Sequence, residues 1–131
     1  CVEAKGGENL QNGTIFIAPG NLHLEVKKCS YGYETVLKDY PKVSGHKPSV
    51  DVLFKSLSSE LKTKGVAFIL TGMGKDGALG ITKVKENGGK TYGQDEESSI
   101  VYGMPKVAYE LGSIDQQVNI ENIIKIINEM E

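Results

Sequence analysis

The segment that most constrains this chain is Val66-Ala67-Phe68-Ile69-Leu70, which runs directly into Thr71-Gly72-Met73-Gly74-Lys75-Asp76-Gly77. A short unbroken apolar run ending at a glycine-rich turn is the pattern of a parallel strand. Val66–Leu70 is therefore expected to be a central strand buried on both faces. A helix is predicted from Ala78 to Glu86, stopped by Asn87-Gly88-Gly89, where glycine can take the left-handed conformation that ends helices. Lys90–Gln94 reads as the next strand, and Asp95-Glu96-Glu97-Ser98-Ser99 as a polar turn. Pro105 suits the first turn of a further helix reaching Leu111, with Gly112 after it. Asn119 is placed to cap a last helix, in which Ile120, Ile123, Ile124 and Ile127 form one apolar stripe, expected to pack in the core. Strands alternating with helices call for parallel pairing through crossover connections.

The first half reads differently. Thr14–Ala18 is a short β-type run closed by Pro19-Gly20-Asn21. Leu22, Leu24 and Val26 alternate with polar neighbours, as do Tyr31, Tyr33 and Thr35, which predicts a half-solvated antiparallel hairpin with His23 on its exposed side. Pro48-Ser49 opens a helix whose Val50, Leu53, Phe54, Leu57 and Leu61 share a face. The expected class is α/β: a doubly wound, mostly parallel sheet with flanking helices and an antiparallel hairpin on the N-terminal side. No repeat or linker divides residues 1–131, so one structural unit is expected.

Composition excludes some functions. A formal net charge of -2 gives no electrostatic footprint for nucleic acid or an anionic membrane. The longest apolar run is too short to span a bilayer, and the first residues lack the apolar core of a signal peptide. Cys1 and Cys29 have no metal-ligand spacing and read as reduced thiols of a cytoplasmic protein. Neither a metal nor a cofactor is expected. The chain lacks an initiator Met and reads as a piece of a longer one.

In open α/β sheets, chemistry gathers at the carboxyl ends of the strands, and Gly72–Gly77 lies at such an end. Its glycines permit positive φ and close backbone approach, and exposed N–H groups at a helix start can hold an anion or an oxyanion. Asp76 in that turn has two readings, an N-cap of the following helix or a catalytic carboxylate, and the residues alone leave both open. Gly72, Gly74 and Gly77 also satisfy Gly-x-Gly-x-x-Gly between a strand and a helix, the context of a dinucleotide-binding module, with Asp95 near the end of the next strand. The turn Tyr102-Gly103-Met104-Pro105 should lie beside the first. His46, before Pro48, reads as a local cap or surface residue, and Tyr31 and Tyr33 as packing on the hairpin.

Four segments, in order, resemble the chemotaxis protein-glutamate methylesterase (CheB) family. They are Phe16-Ile17-Ala18-Pro19-Gly20, then His46-Lys47-Pro48-Ser49-Val50-Asp51-Val52-Leu53-Phe54, then Leu70 to Ala78, and finally Gln94-Asp95-Glu96 running on to Tyr102-Gly103-Met104-Pro105. Lys75 and Ser99 depart from residues common in the family, Asn and Cys. The resemblance implies hydrolysis of glutamyl methyl esters on methyl-accepting chemotaxis receptors, often with deamidation of glutamines there, through a Ser-His-Asp triad. Asp76 matches the triad aspartate, and Met73 the residue whose backbone N–H helps form the oxyanion hole. The family's serine and histidine precede the matched region, so residues 1–131 are expected to be the C-terminal part of one catalytic domain, inactive alone. Many family members also carry a phosphorylatable receiver domain.

Overall fold

The computed structural model describes residues 1–130. Two short strands, β1 (Val2–Glu3) and β2 (Phe16–Ile17), pair in parallel. The expected hairpin follows as β3 (His23–Cys29) and β4 (Gly32–Lys38), in register from His23 opposite Lys38 to Cys29 opposite Gly32. Helix α1 (Val50–Leu61) leads through a single 3₁₀ turn, Lys62–Lys64, into β5 (Val66–Ile69). Then come α2 (Ala78–Glu86), β6 (Lys90–Gln94), α3 (Met104–Glu110), β7 (Gln116–Val118) and α4 (Ile120–Glu129). The strands β5, β6 and β7 form a parallel sheet in that order. The architecture is thus α/β, a parallel sheet with flanking helices beside an antiparallel hairpin.

The core lies between the sheet and its crossover helices. Ala67 and Ile69 on β5 join Ala78, Ile81 and Val84 of α2, Ala108 of α3, Phe54 of α1 and Ile114 in one buried cluster. Only one face of β5 is covered in this way. Val66 and Phe68 point to the other face, where they are half-buried and Phe68 stacks on Tyr92 of β6 at 5.0 Å. The expectation of a strand buried on both faces is corrected accordingly: among the described residues β5 alternates, with α2 and α3 covering the Ala67–Ile69 side. The C-terminal stripe needs a similar correction. Ile123 is the one buried residue of α4 among those described, while Ile120, Ile124 and Ile127 are exposed. Asn119 caps α4 as expected, its Oδ1 accepting from the Asn122 amide at 2.8 Å. Strand β7 went unread in the sequence; three residues carry too little periodicity to register.

Both edges of the hairpin are spoken for. The outer amides of β3 donate to α1 side chains, Val26 N–H to Ser56 Oγ at 3.0 Å and Lys28 N–H to Glu60 Oε1 at 3.3 Å. On the other edge, β4 pairs with residues 7–10 through Gly7 N–H to Thr35 O and Leu10 N–H to Tyr33 O. Side chains and a loop thus block further strand addition at either edge. Among the described residues no helix is long and apolar enough to cross a membrane.

Candidate active site

The two turns that the sequence set beside each other meet at the carboxyl edge of the parallel sheet. Gly72 and Tyr102 form a parallel bridge, Gly72 N–H donates to Val101 O at 3.0 Å, and Met104 N–H donates to Gly72 O at 2.9 Å. A side chain at Gly103 would place its Cβ 2.5 Å from the Gly72 carbonyl oxygen, so glycine is what lets the turns close together. Above this junction Met73 is 78% exposed, and among the described residues its amide donates to no other protein group. Gly77 turns the chain into α2 at φ 94°, a left-handed conformation, with Val50 packed where a side chain would go.

Asp76 is buried, and three donors converge on its carboxylate. Oδ1 accepts from Ser49 Oγ at 2.8 Å and from Asp51 N–H at 3.0 Å, while Oδ2 accepts from Val50 N–H at 2.8 Å. These amides belong to the first turn of α1. Asp76 is therefore a helix cap, but of α1 rather than of the α2 that follows it in sequence. The N-cap of α2 is Gly77, which has no side chain to offer. Its role is filled by Asp51 of α1, whose Oδ1 accepts from Gly77 N–H at 3.0 Å and Gly80 N–H at 2.8 Å while Oδ2 accepts from Ser44 Oγ at 2.7 Å. Asp76, in the turn before α2, thus serves the N-terminus of α1, and Asp51 of α1 serves the N-terminus of α2. Free N–H groups and the positive end of the helix dipole offset the cost of burying these charges. The exchange clamps the glycine-rich turn to α1 at two adjacent residues, Asp76 and Gly77.

The same clamp decides the dinucleotide reading. A pyrophosphate bound by Gly72-x-Gly74-x-x-Gly77 would need the N-terminus of α2. That terminus holds the Asp51 carboxylate, an anion supplied by the chain itself. Asp95, the acidic residue that reading required, instead closes its own turn. It accepts from the Ser98 hydroxyl at 2.6 Å and the Ser98 amide at 2.9 Å, and these bonds hold its carboxyl below the usual carboxylate range.

His23 is fully buried, against the expectation of an exposed position. Tyr40 folds back after the hairpin and stacks on the ring at 4.5 Å. Burial pushes the Tyr40 phenol up to about 12, helped by Glu25, whose carboxylate accepts its proton at 2.9 Å. The imidazole is fixed at both nitrogens: Nε2 lies 3.0 Å from Pro41 O, and Nδ1 accepts from Ser49 N–H at 3.2 Å. This pattern needs the neutral ring with its proton on Nε2. Ser49, His23 and Asp76 are thus neighbours, but their connectivity is wrong for nucleophilic catalysis. The Ser49 hydroxyl donates to the carboxylate, the imidazole takes the Ser49 amide rather than the hydroxyl, and Ser49 is buried. His46 is exposed in a tight turn in which Val43 and His46 exchange backbone hydrogen bonds at 3.0 Å, and the Ser44 hydroxyl serves Asp51.

Ser49 and Asp51 were missed as site residues. The Pro48-Ser49-Val50-Asp51 run signals a helix start, but nothing in it shows that Asp51 serves a different helix. Among the described residues no three His, Cys, Asp or Glu side chains gather as a metal site.

The family model for CheB methylesterase matches residues 1–127. This chain belongs to the CheB methylesterase family. A protein-glutamate methylesterase/protein-glutamine glutaminase of Dechloromonas aromatica is 43% identical over 124 residues, which are 95% of this chain and 35% of that protein. The Treponema denticola protein of the same name is 49% identical over 126 residues, covering 96% of this chain and 34% of its own length. The crystal structure of the Thermotoga maritima CheB methylesterase catalytic domain superposes with a TM-score of 0.92 at 37% identity, over 98% of this chain and 68% of that one. The chain therefore spans about a third of the length of the curated CheB relatives it matches.

Proposed function

We propose that this chain contributes the triad aspartate and part of the oxyanion hole to a serine hydrolase that removes methyl esters from glutamate side chains and deamidates glutamines. The observation that carries this reading is the pairing of two features at one sheet edge. Asp76 is a carboxylate held rigid by three donors, and Met73 on the same turn is an exposed residue whose amide donates to no described protein group. A carboxylate in such a setting can accept the N–H of a histidine, fix its tautomer and stabilise the imidazolium that forms when the serine gives up its proton. Oδ2, which takes a single protein donor, has acceptor capacity left for that contact. The tetrahedral intermediate places negative charge on the former carbonyl oxygen, and an uncommitted amide held there, the part the family resemblance gives to Met73, stabilises it without reorganisation. Serine and histidine come from the part of the catalytic domain outside these residues, since the Ser49 hydroxyl is committed to Asp76 and the His23 ring to Pro41 O and the Ser49 amide. The substrates are methyl-accepting chemotaxis receptors, and a phosphorylatable receiver domain on the parent protein would regulate access. The setting is cytoplasmic.

Methanol release from methylated receptor tests the reading. The complete catalytic domain should turn over, while residues 1–131 alone should show no release above background. Turnover by these residues within about tenfold of the complete domain would place the nucleophile among them and overturn the assignment.

A further inference from the structure

We propose that Ser49 is a positioning residue for the reaction, its hydroxyl setting the orientation of the Asp76 carboxylate. The inference rests on the triad reading of Asp76 and extends it to a residue outside the triad. A serine at a helix N-cap ordinarily accepts from the amides of its own first turn. Ser49 holds the N-cap position of α1 with extended backbone, yet its side chain caps nothing in that helix. Those amides are given to Asp76 instead, and the hydroxyl is turned round to donate to Oδ1 at 2.8 Å.

The consequence is geometric. The two amides, on adjacent residues, hold the carboxylate against the helix end, one on each oxygen. The hydroxyl adds a second donor to Oδ1 and none to Oδ2, so it resists rotation about the last side-chain bond and fixes the plane of the carboxylate. The oxygen beside Val50, which takes one donor, is thereby held with acceptor capacity for the partner histidine. Ser49 is in turn held by His23, whose Nδ1 accepts the Ser49 amide, with Tyr40 stacked behind the ring. A contact from the hairpin thus reaches the carboxylate through one serine.

The test uses the complete catalytic domain with Ser49→Ala and Ser49→Thr, assayed for methanol release alongside wild type and Asp76→Asn. Losing one hydrogen bond to a charged group should lower kcat about tenfold. KM should stay within about twofold, because the hydroxyl touches no substrate. Ser49→Thr, which keeps the hydroxyl, should recover most of the loss. Ser49→Cys, with a similar volume and a weak donor, should fall between Ala and wild type, and it gives the reading if Ser49→Ala does not fold. A folded Ser49→Ala enzyme with wild-type kcat, a loss confined to KM, or Ser49→Thr no better than Ser49→Ala would overturn the proposal. If Asp76→Asn also keeps full turnover, it is the triad reading that fails; if Asp76→Asn is crippled and Ser49→Ala is not, only the role of Ser49 fails.

Discussion

Asp76→Asn in the complete catalytic domain is expected to lower turnover by about 10³–10⁴, the scale seen when a triad aspartate is neutralised in a serine protease. The amide presents an N–H where the histidine needs an acceptor and stabilises the wrong tautomer. A second cost follows from the cap. Backbone amides donate to both oxygens of Asp76, Asp51 N–H to Oδ1 and Val50 N–H to Oδ2. Either orientation of an asparagine therefore sets its NH₂ against a backbone N–H. Leaving one buried donor unsatisfied costs about 1–3 kcal/mol, which denaturant unfolding would read. Stability loss on that scale leaves most of the protein folded, so it cannot account for a thousandfold fall in kcat. Near-normal turnover in folded Asp76→Asn protein would return Asp76 to a purely capping role.

Asp51 should behave in the opposite way. Both backbone donors to Asp51 meet the same oxygen, Oδ1, and the other oxygen faces the Ser44 hydroxyl, which can turn from donor to acceptor. Asp51→Asn can therefore keep every hydrogen bond, losing only the charge at the start of α2, for about 1 kcal/mol or less. Asp51→Ala removes the acceptor altogether. It strands the Gly77 and Gly80 amides beneath α1 and leaves a small void, so it should destabilise by about 3 kcal/mol. It also frees the turn that carries Asp76 and Met73, so turnover should fall beyond what the folded fraction explains. Comparing unfolding midpoints of Asp51→Asn and Asp51→Ala checks this. Equal and large losses in the two would show that charge, and not the hydrogen-bonded clamp, holds the turn.

These two carboxylates also mark how far the sequence could be read. The helix Ala78–Glu86 and strand Lys90–Gln94 were legible to the residue, because periodicity and glycine stops are local signals. The meeting of the 72–77 and 102–105 turns followed from strand order alone. Asp76 was read as a cap or a catalytic group, and the cap it forms belongs to a helix 26 residues earlier in the chain. Capping propensity identifies the residue type and says nothing about which helix end is near. His23 was misplaced for a related reason. Alternation along β3 puts it on the polar side, and the return of Tyr40 and Pro41, with Ser49 at the start of α1, covers it. The exposed isoleucines of α4 have helical spacing indistinguishable from a core stripe; what packs on a face is a tertiary fact.

Whether Asp76 receives a histidine from the rest of the catalytic domain would be seen directly in a crystal structure of that complete domain. An imidazole nitrogen should lie within about 3.2 Å of Asp76 Oδ2, with its other nitrogen directed at a serine hydroxyl beside the Met73 amide. A structure in which the catalytic histidine pairs with a different carboxylate, and Asp76 contacts only Ser49, Val50 and Asp51, would contradict it.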